Sequence, residues 1–274
     1  DHRYLHSFPT RRSSDLDAGS YLKKKLGKEL QVYQSVMVRI EELVDNDRLM
    51  RIASIVSNTE ADGYYVIFQS DIEPRRELSK NEEISGAMKL ISLLSKTGLD
   101  VIVAYTSSDM ILYKIAGAKH CATGKFFNLR RFTKSRFDEP TNGGGGQISY
   151  RFEHFLLSFL READILRLKK FGYTSLLSNS SPSAYWVQEI EKTMKEGKPW
   201  LALSWRHYLE WFVEKEKELT ITDAFSIGEN WLRTAESSWI KLGDKNILME
   251  EPRNDGKWIR SWRIAINEFQ RDNH

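Results

Sequence analysis

The 274-residue sequence carries 41 lysines and arginines against 38 aspartates and glutamates, a formal net charge of +3, with 41% hydrophobic residues and one cysteine. This length and apolar content suffice for the core of one large domain or two modest ones, while the lone Cys121 excludes an intrachain disulfide framework and a cysteine-rich zinc site within the sequence. The longest apolar run, Leu99 to Tyr105, is broken by Asp100 and falls far short of the roughly 18 residues that cross a bilayer, so no membrane partner is expected and a reducing cytoplasm is the expected compartment.

At the start of the chain, His6-Ser7-Phe8-Pro9-Thr10-Arg11-Arg12-Ser13-Ser14-Asp15-Leu16 resembles one reading frame of a common short-read library adapter at every position. Asp1, His2, Arg3 and Leu5 fit the bases upstream of it, and Tyr4 departs from them. The resemblance implies that residues 1–16 are an artefact without selected structure, that they make no core contacts, and that the natural chain is N-terminally truncated here.

Beyond this segment, Gln31 to Val38 is a candidate strand, and Leu49, Ile52, Ala53 and Val56 recur at helical spacing within Leu43 to Asn58. Tyr64 to Phe68 is β-branched and aromatic, too short for a helix and too apolar for a half-exposed strand, so it predicts a buried strand. Ser79 with Glu82 has the spacing of a capping box, followed by Ile84, Met88, Ile91 and Leu94 on one helical face and Gly98 as the stop. Asp100 to Tyr105 repeats the buried-strand signature. Ser108 or Asp109 then caps a short helix that Gly117 ends, before a third strand over Lys119 to Thr123. Buried strands alternating with helices predict an α/β fold with a parallel sheet. Both a doubly wound sheet and part of a (β/α)8 TIM barrel fit, and the short step from the second strand to the third favours the barrel.

The run Gly143 to Gly146, within 141–146, is a flexible linker or a loop at the mouth of the sheet, leading to a short strand Gln147 to Tyr150. Phe152, Phe155, Leu156, Phe159, Leu160 and Ala163 predict an amphipathic helix ending near Gly172. All eight tryptophans lie between Trp186 and Trp262. There, Ser181-Pro182 starts one helix, and apolar spacing marks further helices around Trp205 to Phe212, Phe225 to Trp239 and Trp258 to Phe269. The domains expected are an α/β unit over 17–179 and a helical, tryptophan-rich subdomain over 180–274, the latter a possible protein-partner surface.

Ligands of parallel α/β proteins sit at the carboxyl ends of strands. This rule selects Gln69 and Asp71 after the first strand, Tyr105, Ser107 and Asp109 after the second, Thr123 and Lys125 after the third, and Tyr150 and Glu153 if Gln147 to Tyr150 is a strand. Ser107 and Asp109 serve equally as helix caps, and Asp71 as a turn residue. Lys119 to Arg136 holds Lys119, Lys125, Arg130, Arg131, Lys134 and Arg136 without a carboxylate, interleaved with Phe126, Phe127, Phe132 and Phe137. Cations for phosphates and rings for stacking suit a nucleotide or single-stranded nucleic acid; a solvated basic loop with core phenylalanines is the competing reading. Thr123-Gly124-Lys125 lacks the GxxxxGK[ST] pattern of a phosphate loop. His154 and His207, on expected helices without a second ligand at metal spacing, are expected to face solvent, and no metal or cofactor is expected.

Gln69-Ser70-Asp71 after one strand, and Gly117-Ala118 before Cys121-Ala122-Thr123-Gly124, resemble the later strands of tRNA-guanine transglycosylase-like barrels over about a quarter of the chain. The resemblance implies a barrel enzyme acting on a nucleotide or nucleic-acid base, a transferase, with Asp71 as its carboxylate. The family's structural zinc has no counterpart, since Cys121 stands alone. A non-catalytic nucleic-acid-binding or assembly protein using 119–136 is the alternative.

Overall fold

The short β-branched runs pair as an all-parallel sheet in the computed structural model, which describes residues 21, 24–25, 31–125, 127–134, 148–173, 184–221, 223–249 and 255–273. The adapter-like segment, the glycine run and Ser181-Pro182 lie outside these residues. Strands β1 (Tyr33–Arg39), β2 (Gly63–Gln69), β3 (Asp100–Ala104) and β4 (His120–Cys121) lie side by side in chain order. The register places Val36, Val66, Val103 and Cys121 in one row, and Met37, Ile67 and Ala104 in the next, facing the other way.

Helices α1 (Asn46–Ser57), α2 (Asn81–Ser95) and α3 (Met110–Ile115) follow the first three strands and pack side by side, α1 on α2 and α2 on α3. Ile84, Met88, Ile91 and Leu94 of α2 are buried against the valine row. The opposite face is thinly covered: Met37 is exposed, and Ile67 and Ala104 are sheltered by Phe132 together with half-buried Tyr65 and Tyr105. The sheet is thus parallel and α/β as expected, with four strands in chain order among the described residues, an arrangement shared by a doubly wound sheet and by a segment of a barrel. The expected Ser79 cap is also replaced. Lys80 occupies the N-cap of α2 without a side-chain cap bond, and its ammonium instead pairs with Glu83 at 2.6 Å.

The helix expected from Phe152 to Ala163 is a β-hairpin. Strand β5 (Arg151–Glu153) pairs antiparallel with β6 (Ser158–Leu160), and helix α4 (Glu162–Lys170) begins only afterwards. Phe152 and Phe159 meet across the hairpin with centroids 4.9 Å apart. Arg151 and Glu153, both fully buried, neutralise each other at 3.1 Å, so polar residues occupy interior positions that an apolar pattern misses. The strand expected over Gln147 to Tyr150 is displaced accordingly, with 148–150 carrying no regular element.

Helices α5 (Ala184–Lys195), α6 (Leu201–Ile221), α7 (Ala224–Asp244) and α8 (Lys257–Asn273) make the C-terminal third helical. Helices α6, α7 and α8 contribute to the principal core, where Trp211, Leu232, Trp262 and Ile266 cluster with Ile84, Leu90 and Met110, while Ile190 of α5 and Leu242 of α7 join Leu160, Ile165 and Trp200 in a second cluster. Trp262 Nε1 donates to the Leu78 carbonyl at 2.7 Å and Trp239 Nε1 to that of Leu156 at 2.9 Å, so the indoles act as anchors with their polar edge satisfied.

His207 is inside this core, and His154 is half-buried in the turn of the hairpin, so neither stands on an open solvent face. His207 is 1% exposed, and His154 accepts the Trp211 indole N–H on Nδ1 at 3.3 Å. Burial, reinforced by Lys215 near His154 and Arg151 near His207, lowers each imidazole from 6.5 to about 3. Both are neutral in the folded chain at neutral pH.

Two stability outcomes follow. Gly86→Ala in mid-helix would ordinarily gain about 1 kcal/mol. Here a Cβ would lie 2.4 Å from the Leu43 carbonyl oxygen, backbone that cannot step aside. We expect a net loss of about 1–3 kcal/mol in chemical denaturation, and a gain would contradict the close approach. The second concerns acid: a depressed folded pKa contributes stability that is whole above 6.5 and is lost as pH falls toward about 3. His207→Phe should flatten the stability–pH curve across that window by about 1.36 kcal/mol per pH unit, the equivalent of one proton. Curves that stay parallel would show that His207 titrates normally.

Candidate functional site

At the carboxyl edge of the sheet, Tyr105 adopts a left-handed φ of 57° directly after β3, a conformation costly for a bulky residue. Pairing of β3 with β2 ends at Ala104, although the Thr106 N–H still donates to the Ala122 carbonyl at 2.9 Å, so the end of β2 is left without its neighbour. Phe132 takes the place: it bridges Gln69 in parallel, accepts the Ser70 N–H on its carbonyl at 3.0 Å, and sets its ring edge-on to Tyr105 at 5.1 Å. The two residues before Phe132 are thereby carried inward.

Those residues are Arg130 and Arg131, 2% and 4% exposed. Glu77, from the segment between β2 and α2, lies between them, with one oxygen 3.4 Å from Arg130 Nη2 and the other 3.2 Å from Arg131 Nη2. Arg131 also faces Asp109 at 3.6 Å. Asp109 in turn accepts the Ser107 backbone N–H at 2.6 Å. Arg130 donates to the Ser107 hydroxyl and, through Nε, to the Tyr208 hydroxyl at 3.2 Å, which is itself 3.2 Å from Thr123 Oγ1. Its guanidinium lies 4.0 Å from the Phe159 centroid and 5.0 Å from that of Phe127, a cation–π enclosure.

The charges balance formally but the geometry is loose, since charge-assisted N–H···O bonds run at about 2.7–2.9 Å. Two donors, Arg130 Nη1 and Arg131 Nε, find no acceptor among the described residues. Burial pushes both Glu77 and Asp109 above the ordinary carboxylate range, with the arginines opposing the shift. A cavity of about 10 Å³, walled by Ile40, Phe68, Leu78 and Tyr113 and edged by Ser70, Asp109 and Arg131, adjoins the cluster, about the room one water needs.

Of the residues selected from the sequence, Ser107, Asp109, Thr123, Arg130 and Arg131 therefore converge, with Tyr105 and Gln69 framing them. Phe127 packs on the arginine. Asp71 and Lys125 are exposed, and Asp71 takes no part in the ion pairs of the cluster. Glu153 is committed to Arg151 in the hairpin, and the Tyr150 hydroxyl accepts from Arg161 at 3.1 Å beside a separate groove lined by Leu166, Met194 and Trp200. Glu77 and Tyr208 escaped sequence reading: Glu77 belongs to a stretch of alternating charge, and Tyr208 to an apolar helix face. Cys121 is buried with its thiol pushed well up, so it is no nucleophile. Among the described residues no three His, Cys, Asp or Glu side chains are grouped to hold a metal, and no helix is long and apolar enough to cross a membrane.

Comparison with protein-family models, curated sequences and solved structures found no match to this chain.

The cluster's energetics are testable through Arg131. Removing one partner of a buried ion pair leaves the other charged and dry, at about 3–5 kcal/mol. Arg131→Met should lose that much at neutral pH, measured by urea unfolding. A carboxylate whose folded pKa lies above its unfolded one contributes stability at low pH that is lost as pH rises through the folded value, so part of the deficit should return on acidification. A loss below about 1 kcal/mol would mark the cluster as solvent-screened.

Proposed function

We propose that the chain acts on a nucleotide or nucleic-acid base seated at the carboxyl edge of its sheet, Arg130 and Arg131 holding phosphate and Asp109 serving as the acid–base carboxylate. The carrying observation is the pair of buried guanidinium donors without acceptors at the strand ends of β2 and β3, where parallel α/β folds receive ligands. Asp109 replaces Asp71 in this reading because it is buried in the cluster beside Arg131 and burial raises its pKa, the kind of environment in which acid–base carboxylates are found. Half-buried Tyr65 and Tyr105 beside Phe132 supply faces for a base.

A second reading, a nucleic-acid-binding protein without chemistry, is favoured by the exposed position of Asp71 and by the exposed cations Lys125 and Lys134 near the same edge. The two share a test of binding and part on turnover. A labelled single-stranded oligonucleotide and a nucleoside monophosphate are titrated across salt. Oligonucleotide affinity should fall steeply with salt, as binding releases counterions, at about 0.7 log units per log unit of salt for each phosphate contact. Tyr105→Phe should keep that binding. Tyr105→Ala, checked for fold by circular dichroism, should weaken it by about 1–3 kcal/mol without altering the slope. Absence of any binding at low salt would remove both readings. Asp109→Asn separates them by abolishing base exchange or hydrolysis while sparing affinity.

A further inference from the structure

Resting on the carboxyl-edge reading, we propose that Glu77 is a built-in stand-in for the ligand's phosphate, occupying the Arg130–Arg131 anion site until a phosphate dianion displaces it. Its carboxylate spans the two guanidinia with one oxygen on each, at 3.4 and 3.2 Å, as a phosphate would, but it has only two oxygens to give. Arg130 Nη1 and Arg131 Nε remain without acceptors. A phosphate presents three terminal oxygens and a second negative charge, and so answers donors that a carboxylate leaves unmet.

The backbone around Glu77 is suited to exchange. Ser70 to Lys80 forms neither strand nor helix, and Asp71, Glu73, Arg75 and Arg76 are exposed. Leu78, 2% exposed, is pinned by the Trp262 indole N–H on its carbonyl. Ser70 is pinned by the Phe132 carbonyl. Ile72 also packs against the core, its N–H on the Ser70 hydroxyl at 3.1 Å, so the part left to swing Glu77 into water is 73–77, while the sheet and α2 stay in place. Burial already disfavours the Glu77 anion, so solvation on release offsets the lost ion pairs.

Glu77→Ala empties the site. Calorimetric titration with inorganic phosphate, at fixed ionic strength, should show affinity at least about tenfold above the parent, since the competing occupant is gone. Phosphate should also raise the melting temperature of the variant, in which Asp109 is the one carboxylate left to the two arginines among the ion pairs of the cluster. In the parent, phosphate should accelerate tryptic cleavage after Arg75 and Arg76 relative to chloride of equal ionic strength. Affinity within about twofold of the parent overturns the proposal. Should Glu77→Ala fail to fold, unchanged parental cleavage in phosphate overturns it equally. A variant that gains phosphate affinity but does not prefer a nucleoside monophosphate keeps the stand-in and removes the nucleotide reading. Equal nucleotide binding by parent and variant does the reverse.

Discussion

The guanidinium of Arg130 is the point on which four separate segments meet. It bonds Ser107 from the turn after β3, pairs with Glu77 from the segment after β2, and bonds Tyr208 of α6. It also lies against Phe159 of the hairpin. A buried cation is tolerated only where its charge is matched and its hydrogens accepted, so the positions of these four segments are not independent. The sheet supplies the frame, but the mutual placement of hairpin, C-terminal helices and strand ends follows from satisfying one side chain. The outward sheet face is covered where Phe132 and Tyr105 lie over β2 and β3, while on the edge strand β1 Ser35 and Met37 stay open to solvent.

That cation arrives by way of a backbone departure. Tyr105 turns β3 aside at positive φ, and Phe132 fills the vacated position beside Gln69. Strain of this type costs on the order of 1–3 kcal/mol and persists only where surrounding contacts over-determine it. Here the Tyr105–Phe132 ring contact and the Ser70–Phe132 hydrogen bond hold it. The same departure opens the small cavity beside Asp109, so packing, strain and the candidate site share one cause.

What was legible in the sequence divides along the range of the interactions. Tyr64 to Phe68 and Asp100 to Tyr105 read as strands because burial on both faces leaves no polar period, and the α2 face reads as a helix because its contacts repeat every turn. Phe152, Phe155, Leu156 and Phe159 satisfy a helical period too, yet the Arg151–Glu153 pair and the Phe152–Phe159 contact close a hairpin instead. Pairing hides charge from any pattern that equates charge with solvent. Arg130 and Arg131 were legible as unusual, being basic residues in a stretch free of carboxylates, but their partner Glu77 stands more than fifty residues earlier. The basic stretch is therefore neither the solvated loop nor the open phosphate clamp that composition suggests: its two central arginines are internal and already answered by acid. The sheltering of His154 is hidden from the sequence for the same reason, since Trp211 and Trp231, whose rings cover it, come from distant elements.

If Glu77 is exchanged for an anion as proposed, the electrostatics of the edge limit which anion can enter. Glu77 is tethered by its own chain, so it competes at an effective concentration in the millimolar range or above, and a free anion gains nothing from charge alone if it carries no more than the carboxylate does. A monoanion therefore loses to the tether. A dianion gains the second charge and the unmet donors of Arg130 and Arg131. A dianion carrying a ring gains further contact with Tyr65 and Tyr105, which lie half-buried on the same side as Phe132. On the proposed exchange, occupancy by a phosphate bearing an aromatic group and release of Glu77 would be two sides of one equilibrium, which a ligand shifts only by what it binds better than Glu77 does.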